Sequence, residues 1–66
     1  MKSVSGRHLA KILENQGWNL RRIKGSHHIY SKAKKVVSVP IHGKKDLRKG
    51  TQIAIMKQAG ITDDML

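Results

Sequence analysis

Two adjacent histidines, His27 and His28, stand directly after a glycine and a serine, Gly25 and Ser26. Histidine is the side chain that both donates and accepts protons near neutral pH without a perturbed pKa. Basic residues lie on both sides of this pair along the chain: Arg21, Arg22, Lys24, Lys32, Lys34 and Lys35. The pattern predicts acid–base chemistry on an anionic substrate, and plain phosphate binding by surface histidines is the alternative.

The charge balance points to a polyanionic partner. The chain carries 14 lysines and arginines against four acidic residues, which gives a formal net charge of +10. Such an excess creates a positive field that attracts polyanions. The basic residues are spread through periodic segments rather than gathered in a tail, so we expect them on a folded surface. Nucleic acid is the first partner to expect, and an acidic protein is the second.

Length and composition restrict the class of protein. With 66 residues, the chain is predicted to form one domain over residues 1–66. It has no cysteine, which excludes a disulfide framework and a thiolate metal site. No apolar run approaches the length of a membrane span, and the N-terminus lacks the pattern of a secretory signal. We therefore expect a cytoplasmic location and no membrane partner.

The elements that must position the histidines follow from the periodicity of apolar residues. Ser3 or Ser5 can cap a first helix of about ten residues, which Gly17 ends. Alternating apolar and polar residues predict strands over 18–21, 27–31 and 36–40. A bulge or a strand end is expected at Arg22–Ile23, where the alternation changes phase. A second helix is predicted over residues 51–59.

This order of elements predicts a two-layer α+β domain of the form α-β-β-β-α. Short connections make the three strands an antiparallel sheet, and both helices cover one of its faces. Trp18 and Leu20 are expected to point from the first strand into the core. The other face of the sheet and the basic loops are left for a partner.

The acidic residues are poorly placed for metal-dependent catalysis. A metal-dependent nuclease gathers two or more carboxylates around a divalent cation. Asp63 and Asp64 stand where the capping of a short helical turn explains them, and Glu14 and Asp46 are isolated. We therefore expect no metal and no cofactor. A serine nucleophile would also need an orienting acid that the sequence does not place.

RNA supplies its own nucleophile, the 2′-hydroxyl, which can attack the neighbouring phosphorus. The protein then has to deprotonate that hydroxyl, protonate the leaving oxygen and neutralise the phosphorane. Histidine can serve the proton transfers, and lysine or arginine can stabilise the charge. DNA lacks this hydroxyl, so the same residues would only bind it.

A series of short stretches occurs in a specific order and spacing along almost the whole chain. They are 9–13 with Gly17-Trp18, 22–30, 37–40, 42–47, and 49–51 leading to 55–60. This series resembles the HicA family of bacterial toxins, also called YcfA-like, which are small mRNA interferases. The Gly-Ser-His triplet alone would be a weak signal, whereas the whole series is specific.

The resemblance implies a double-stranded-RNA-binding-like fold and ribonuclease activity on mRNA through a histidine after the Gly-Ser turn. It also implies an acidic HicB-like antitoxin that covers the site. Gly25, Ser26 and His27 match the family motif, and His28 extends it. We assign RNA binding to residues around this turn and in the later basic loop: Arg21, Arg22, Lys24, Gly25, Ser26, Lys44 and Lys45.

The strand pattern leaves open whether His27 or His28 acts. His27 shares a strand face with Ile29, which is expected to point to the core, so His27 would lie toward a helix-rimmed cleft. His28 shares the other face with Tyr30 and would point outward. Exposure favours His28, whereas the Gly-Ser-His motif favours His27, which we rank first.

Two other classes of function fit the same fold and charge. One is a non-catalytic RNA-binding module, and the other is a DNA-binding or scaffold domain. Cleavage of RNA in the presence of a chelator would separate the nuclease from both.

Overall fold

A computed structural model describes residues 1–66. The element order is α1 (Gly6–Asn15), β1 (Asn19–Lys24), β2 (His27–Lys32), β3 (Lys35–Pro40) and α2 (Lys49–Ala59), followed by a short 3-10 helix, Asp63–Met65. The strands form one antiparallel sheet in the order β1-β2-β3. The structure confirms the predicted α-β-β-β-α order and the double-stranded-RNA-binding-like kind of fold.

The first helix begins and ends where its sequence predicts. Ser5 is the N-cap residue, and its hydroxyl accepts a 3.0 Å hydrogen bond from the backbone N–H of His8. Gln16 ends the helix, and Gly17 follows with a φ of +93°, which glycine adopts without steric strain. Lys32, at the end of β2, donates a 2.6 Å hydrogen bond from Nζ to the carbonyl of Gln16. This bond holds the end of α1 to the sheet and places a positive charge at the helix C-terminus, where it is favourable.

The second helix begins at Lys49, slightly before the predicted residue 51, and ends at Ala59 as predicted. Gly60 follows in the left-handed conformation with a φ of +70°, and its N–H donates to the carbonyl of Met56. Neither α1 nor α2 has the length and apolar character that crossing a membrane requires.

Both helices pack on one face of the sheet. The core joins apolar side chains of α1, α2 and that face, among them Leu9, Leu13, Val37 and Val39. Trp18, between α1 and β1, is only 4% exposed. It is therefore a core residue, as its position indicates, and it offers no surface on which a base could stack.

Tyr30, rather than Ile29, is the β2 residue that enters the core. Tyr30 is 1% exposed and pairs with Val37, whereas Ile29 is half-buried and pairs with Ser38. The hydroxyl of Tyr30 donates a 2.6 Å hydrogen bond to Glu14 of α1. Because this bond satisfies the polar end of a large apolar ring, tyrosine can fill the core at this position.

The faces of the two histidines are consequently the reverse of the predicted ones. Successive side chains of a strand alternate between faces, so His28 lies on the helix side with Tyr30. His27 lies on the open side with Ile29 and is exposed. The prediction that His27 points toward the helices and His28 outward is therefore wrong.

The strand β1 forms one edge of the sheet. Its pairing with β2 shifts between Leu20 and Arg22, which makes Arg21 the extra residue of a bulge. The predicted bulge is thus confirmed, one residue earlier than expected. Leu20 is 44% exposed, so the prediction that it packs in the core is wrong. Every residue of β1 is exposed.

The loop between β3 and α2 is tied to the segment before α1. Ser5 and Asp46 form an isolated antiparallel bridge, and the N–H of Leu47 donates a 2.9 Å hydrogen bond to the carbonyl of Val4. Gln52 of α2 is fully buried, and its side-chain carbonyl accepts a 3.1 Å hydrogen bond from the N–H of Val4. These bonds hold the loop in one place relative to the sheet.

Candidate active site

Two adjoining hollows on the surface share His27 and His42 in their walls. The strand hollow adds residues of the open sheet face and the β1–β2 turn: Arg22, Lys24, Gly25, Ser26, Ile29 and Ser38. The loop hollow adds residues of the β3–α2 loop and its ends: Pro40, Lys45, Asp46, Leu47, Arg48 and Thr51. We call the two hollows together the histidine groove. It runs from the open face of the sheet to the start of α2.

His27 is held in the groove from two sides. It is the first residue of β2 and follows a turn in which Gly25 has a φ of +57°, a conformation that favours glycine. Its ring Nδ1 lies 3.2 Å from the hydroxyl oxygen of Ser38 on β3. A hydroxyl can accept from or donate to Nδ1, so it orients the ring in either tautomer. The second ring nitrogen, Nε2, makes no hydrogen bond within the protein and can contact a substrate.

His42 is placed against His27 by the backbone. The carbonyl of Ser26 accepts a 2.7 Å hydrogen bond from the N–H of Ile41, and these two residues directly precede His27 and His42. After His42 the chain turns at Gly43, which has a φ of +58°. The carbonyl of His42 closes this turn by accepting a 3.0 Å hydrogen bond from the N–H of Lys45.

The groove is strongly cationic. Its walls carry four permanently basic side chains, which are Arg22, Lys24, Lys45 and Arg48, against the single carboxylate of Asp46. Concave surfaces lined by one sign of charge focus the field on an approaching ion of opposite sign. The groove can therefore hold a phosphodiester against the two imidazoles.

Most of the residues predicted to bind RNA meet in the groove. Arg22, Lys24, Gly25, Ser26 and Lys45 are among its walls. The predicted residues Arg21 and Lys44 are exposed but do not line it.

His28 does not line the groove. It is half-buried on the helix side of the sheet and pairs with Ile23 of β1 and Val39 of β3. Of the two histidines predicted to be catalytic, only His27 therefore lies among the cations.

Sequence reasoning did not assign His42, Ser38 and Arg48 to the site. The antiparallel register explains why His42 and Ser38 belong there. Because His27 pairs with Pro40, the residues two positions before and two positions after Pro40 lie diagonally beside His27, on the same side of the sheet. The predicted strands already contained this information. Antiparallel pairing of residues 27–31 with 36–40 places the end of the third strand beside His27.

Other parts of the surface offer less for acid–base chemistry. No three histidine or carboxylate side chains gather into a cluster that could hold a metal ion. A further hollow lies beside the C-terminal half of α2 and is lined mainly by apolar side chains, with Lys57, Thr62 and Asp63 among them. It contains no histidine.

Comparison with known proteins assigns the chain to a family. No curated protein matches it closely enough to count as a relative. The model of one family, described as the HicA toxin of bacterial toxin–antitoxin, matches residues 6–61. The match spans both helices, the sheet and every wall of the histidine groove. The chain therefore belongs to the HicA toxin family of bacterial toxin–antitoxin systems.

Proposed function

We propose that this toxin is an endoribonuclease, an mRNA interferase, in which His27 transfers a proton while the 2′-hydroxyl of RNA attacks the neighbouring phosphate. The observation that carries this proposal is the setting of His27. Its imidazole is exposed on the open sheet face, held at Nδ1 by Ser38, and surrounded by the basic walls of the groove.

The reaction needs no nucleophile from the protein. The 2′-oxygen loses its proton and forms a bond to phosphorus, and the bond from phosphorus to the 5′-oxygen breaks. The leaving 5′-oxygen takes up a proton, so the products are a 2′,3′-cyclic phosphate and a 5′-hydroxyl. A positioned histidine accelerates such proton transfers by about 10²- to 10⁴-fold. The basic side chains of the groove stabilise the extra negative charge on the phosphorane.

The partner that family membership implies is a HicB-type antitoxin. We propose that this partner is acidic and blocks the histidine groove, and that the toxin acts on mRNA in the cytoplasm. DNA has no 2′-hydroxyl and would bind without being cleaved. Neither a metal nor a cofactor takes part in the proposed reaction.

Cleavage of RNA by the purified toxin in EDTA tests the proposal. The wild type should cleave, and His27→Ala should cleave about 10²- to 10⁴-fold more slowly with unchanged circular dichroism and RNA binding. His28→Ala should retain cleavage, because its side chain lies on the opposite face of the sheet. His8→Ala is the matched control, since His8 is exposed on α1 and lies 3.0 Å from the carbonyl oxygen of Leu66, outside the groove.

Three results would contradict the proposal. One is loss of cleavage in EDTA that a divalent ion restores. Another is full activity of His27→Ala. The third is tight RNA binding without cleavage by the wild type, which would make the protein a binding module.

A further inference from the structure

Cleavage through the 2′-hydroxyl requires two proton transfers at different oxygens. One removes the proton of the 2′-hydroxyl, and the other delivers a proton to the leaving 5′-oxygen. These oxygens lie on opposite sides of the phosphorus in an in-line displacement. A single imidazole fixed on one side is poorly placed to serve both, so a second proton-transfer group on the other side would add to the rate.

We infer that His42 is this second catalytic residue and forms an acid–base pair with His27; the inference rests on the proposed ribonuclease function. In each turnover one imidazole of the pair takes the proton from the 2′-oxygen, and the other gives a proton to the 5′-oxygen. Charge balances because one ring starts neutral and the other protonated, and they exchange these states during cleavage. Proton exchange with water then restores both.

The shared position of the two histidines supports the pair. His27 and His42 are the two residues that line both the strand hollow and the loop hollow. The 2.7 Å hydrogen bond between Ser26 and Ile41 joins the residues that directly precede them. A phosphate bound where the two hollows meet would therefore have both histidines as neighbours.

The loop that carries His42 is held by the fold. The turn at Gly43 is closed by the hydrogen bond from Lys45, and Leu47 is tied to Val4 beyond it. Catalytic geometry requires side chains that are held in place by their surroundings rather than on free loops. His42 itself is exposed, so its side chain does not fill the core.

The charged groups that face the pair come from two elements. Arg22 and Lys24 approach from β1, and Lys45, Asp46 and Arg48 approach from the β3–α2 loop and the N-cap of α2. The four lysines and arginines among them attract the phosphodiester. Lysine and arginine stay protonated at neutral pH, so they are unsuited to exchange protons as the histidines do.

Two substrates separate proton transfer from binding. One is an RNA oligonucleotide that contains a linkage which the wild type cleaves, and the other has sulfur in place of the 5′-oxygen of that linkage. The thiolate leaves without being protonated, so the variant that lacks the acid should regain a rate near the wild type on the sulfur substrate. Single-turnover rates are compared for the wild type, His27→Ala, His42→Ala and the control His8→Ala.

His42→Ala should cleave ordinary RNA about 10²- to 10⁴-fold more slowly than the wild type, with RNA affinity unchanged. The sulfur substrate should rescue one of the two groove variants and not the other. The pH–rate profile of the wild type should be bell-shaped, and each variant should lose one limb of it.

Several results would overturn the role of His42. They are cleavage by His42→Ala within about threefold of the wild type, a defect confined to RNA affinity, or no rescue of either variant. These results differ from failure of the ribonuclease proposal itself. That failure would appear as no cleavage by the wild type or as full activity of His27→Ala.

Discussion

Tyr30 donates a 2.6 Å hydrogen bond to the carboxylate of Glu14 and thereby joins β2 to α1 on the side of the sheet opposite the histidine groove. Burial raises the pKa of Tyr30 above its ordinary value, and the hydrogen bond and negative charge of Glu14 raise it further. Because the sheet carries His27 on its other face, this contact also supports the strand on which the groove depends.

Replacing Tyr30→Phe should change how stability depends on pH. In the unfolded chain the hydroxyl of Tyr30 loses its proton at about pH 10. In the folded state it keeps the proton to higher pH. Above about pH 10 the folded state thus binds more protons, and the free energy of unfolding falls as pH rises. The variant lacks this decline, although it should be about 1 kcal/mol less stable at neutral pH.

Urea unfolding of both proteins, followed by the fluorescence of the single tryptophan, Trp18, measures this difference. Tyr30 is also the single tyrosine, so its ionisation can be followed separately by absorbance. The two stability curves should converge between about pH 10 and pH 12. Curves that stay parallel would show that the folded state does not hold the tyrosine proton to higher pH than the unfolded chain does.

Gly6 should tolerate no side chain. A Cβ atom at Gly6 would clash with the carbonyl oxygen of Pro40, where the start of α1 meets the end of β3. Gly6→Ala should therefore lower the free energy of unfolding by about 1 to 3 kcal/mol. Gly50→Ala is the matched control, because nothing lies within 4 Å of its Cβ in α2. The control should stabilise the protein by about 0.5 to 1 kcal/mol. Equal effects of the two substitutions on urea unfolding would contradict this account.

The order of elements was predictable because capping and alternation are local properties of the sequence. Ser5 marks a helix start through its capping hydroxyl, and Gly17 and Gly60 mark helix ends through their backbone freedom; the structure uses all three in this way. The assignment of strand faces was not local. It depended on Glu14, which is distant in sequence from Tyr30 and supplies the partner of its hydroxyl.

The candidate site was predictable only in part for the same reason. The Gly25–His27 turn and its neighbouring cations form a continuous stretch, and sequence alone brings them together. His42 and Ser38 reach His27 through the register of β2 and β3, which depends on contacts across the sheet. Edge position also decided that Leu20 stays exposed, and no local pattern contains that information.

Ser38 should act as a positioning residue for His27. Ser38→Ala removes the hydroxyl that lies 3.2 Å from Nδ1, so the ring should spend less time in the productive orientation. A net hydrogen-bond contribution of about 0.5 to 1.5 kcal/mol corresponds to a kcat lower by about 2- to 10-fold. The KM should be unchanged, because the cations that bind RNA remain in place.

Ser38→Thr is the conservative control for this effect. Threonine keeps the hydroxyl and suits a strand, so kcat should return toward the wild-type value. A threonine variant as slow as the alanine variant would indicate that packing, rather than the hydrogen bond, matters at this position.

Neighbouring lysines should differ in their contribution to RNA binding. Lys45 lines the groove and Lys44 does not. In a His27→Ala background, which keeps the RNA intact, Lys45→Ala should lower the salt slope of binding by about 0.7 for a single strand. Lys44→Ala should change the slope less, and Arg22→Ala should behave like Lys45→Ala. Titration of affinity against salt measures these slopes, and equal slopes for the two lysine variants would argue against the groove as the binding surface.

An acidic HicB-type antitoxin should bind over the histidine groove and displace RNA from it. The groove holds four basic side chains against one carboxylate, and the whole chain carries a formal charge of +10. Complementary charge raises association rates well above those of neutral surfaces, and salt reduces this gain. We therefore expect fast, salt-dependent association of toxin and antitoxin.

Competition decides whether the antitoxin occludes the groove. Labelled RNA bound to His27→Ala is titrated with the antitoxin, and release of the RNA in proportion to the antitoxin bound is the expected result. Lys45→Ala should weaken antitoxin binding, whereas Lys34→Ala should not, because Lys34 lies in the β2–β3 turn, at the opposite end of β2 from His27. A ternary complex with unchanged RNA affinity would show that the antitoxin binds elsewhere and restrains the toxin by another route.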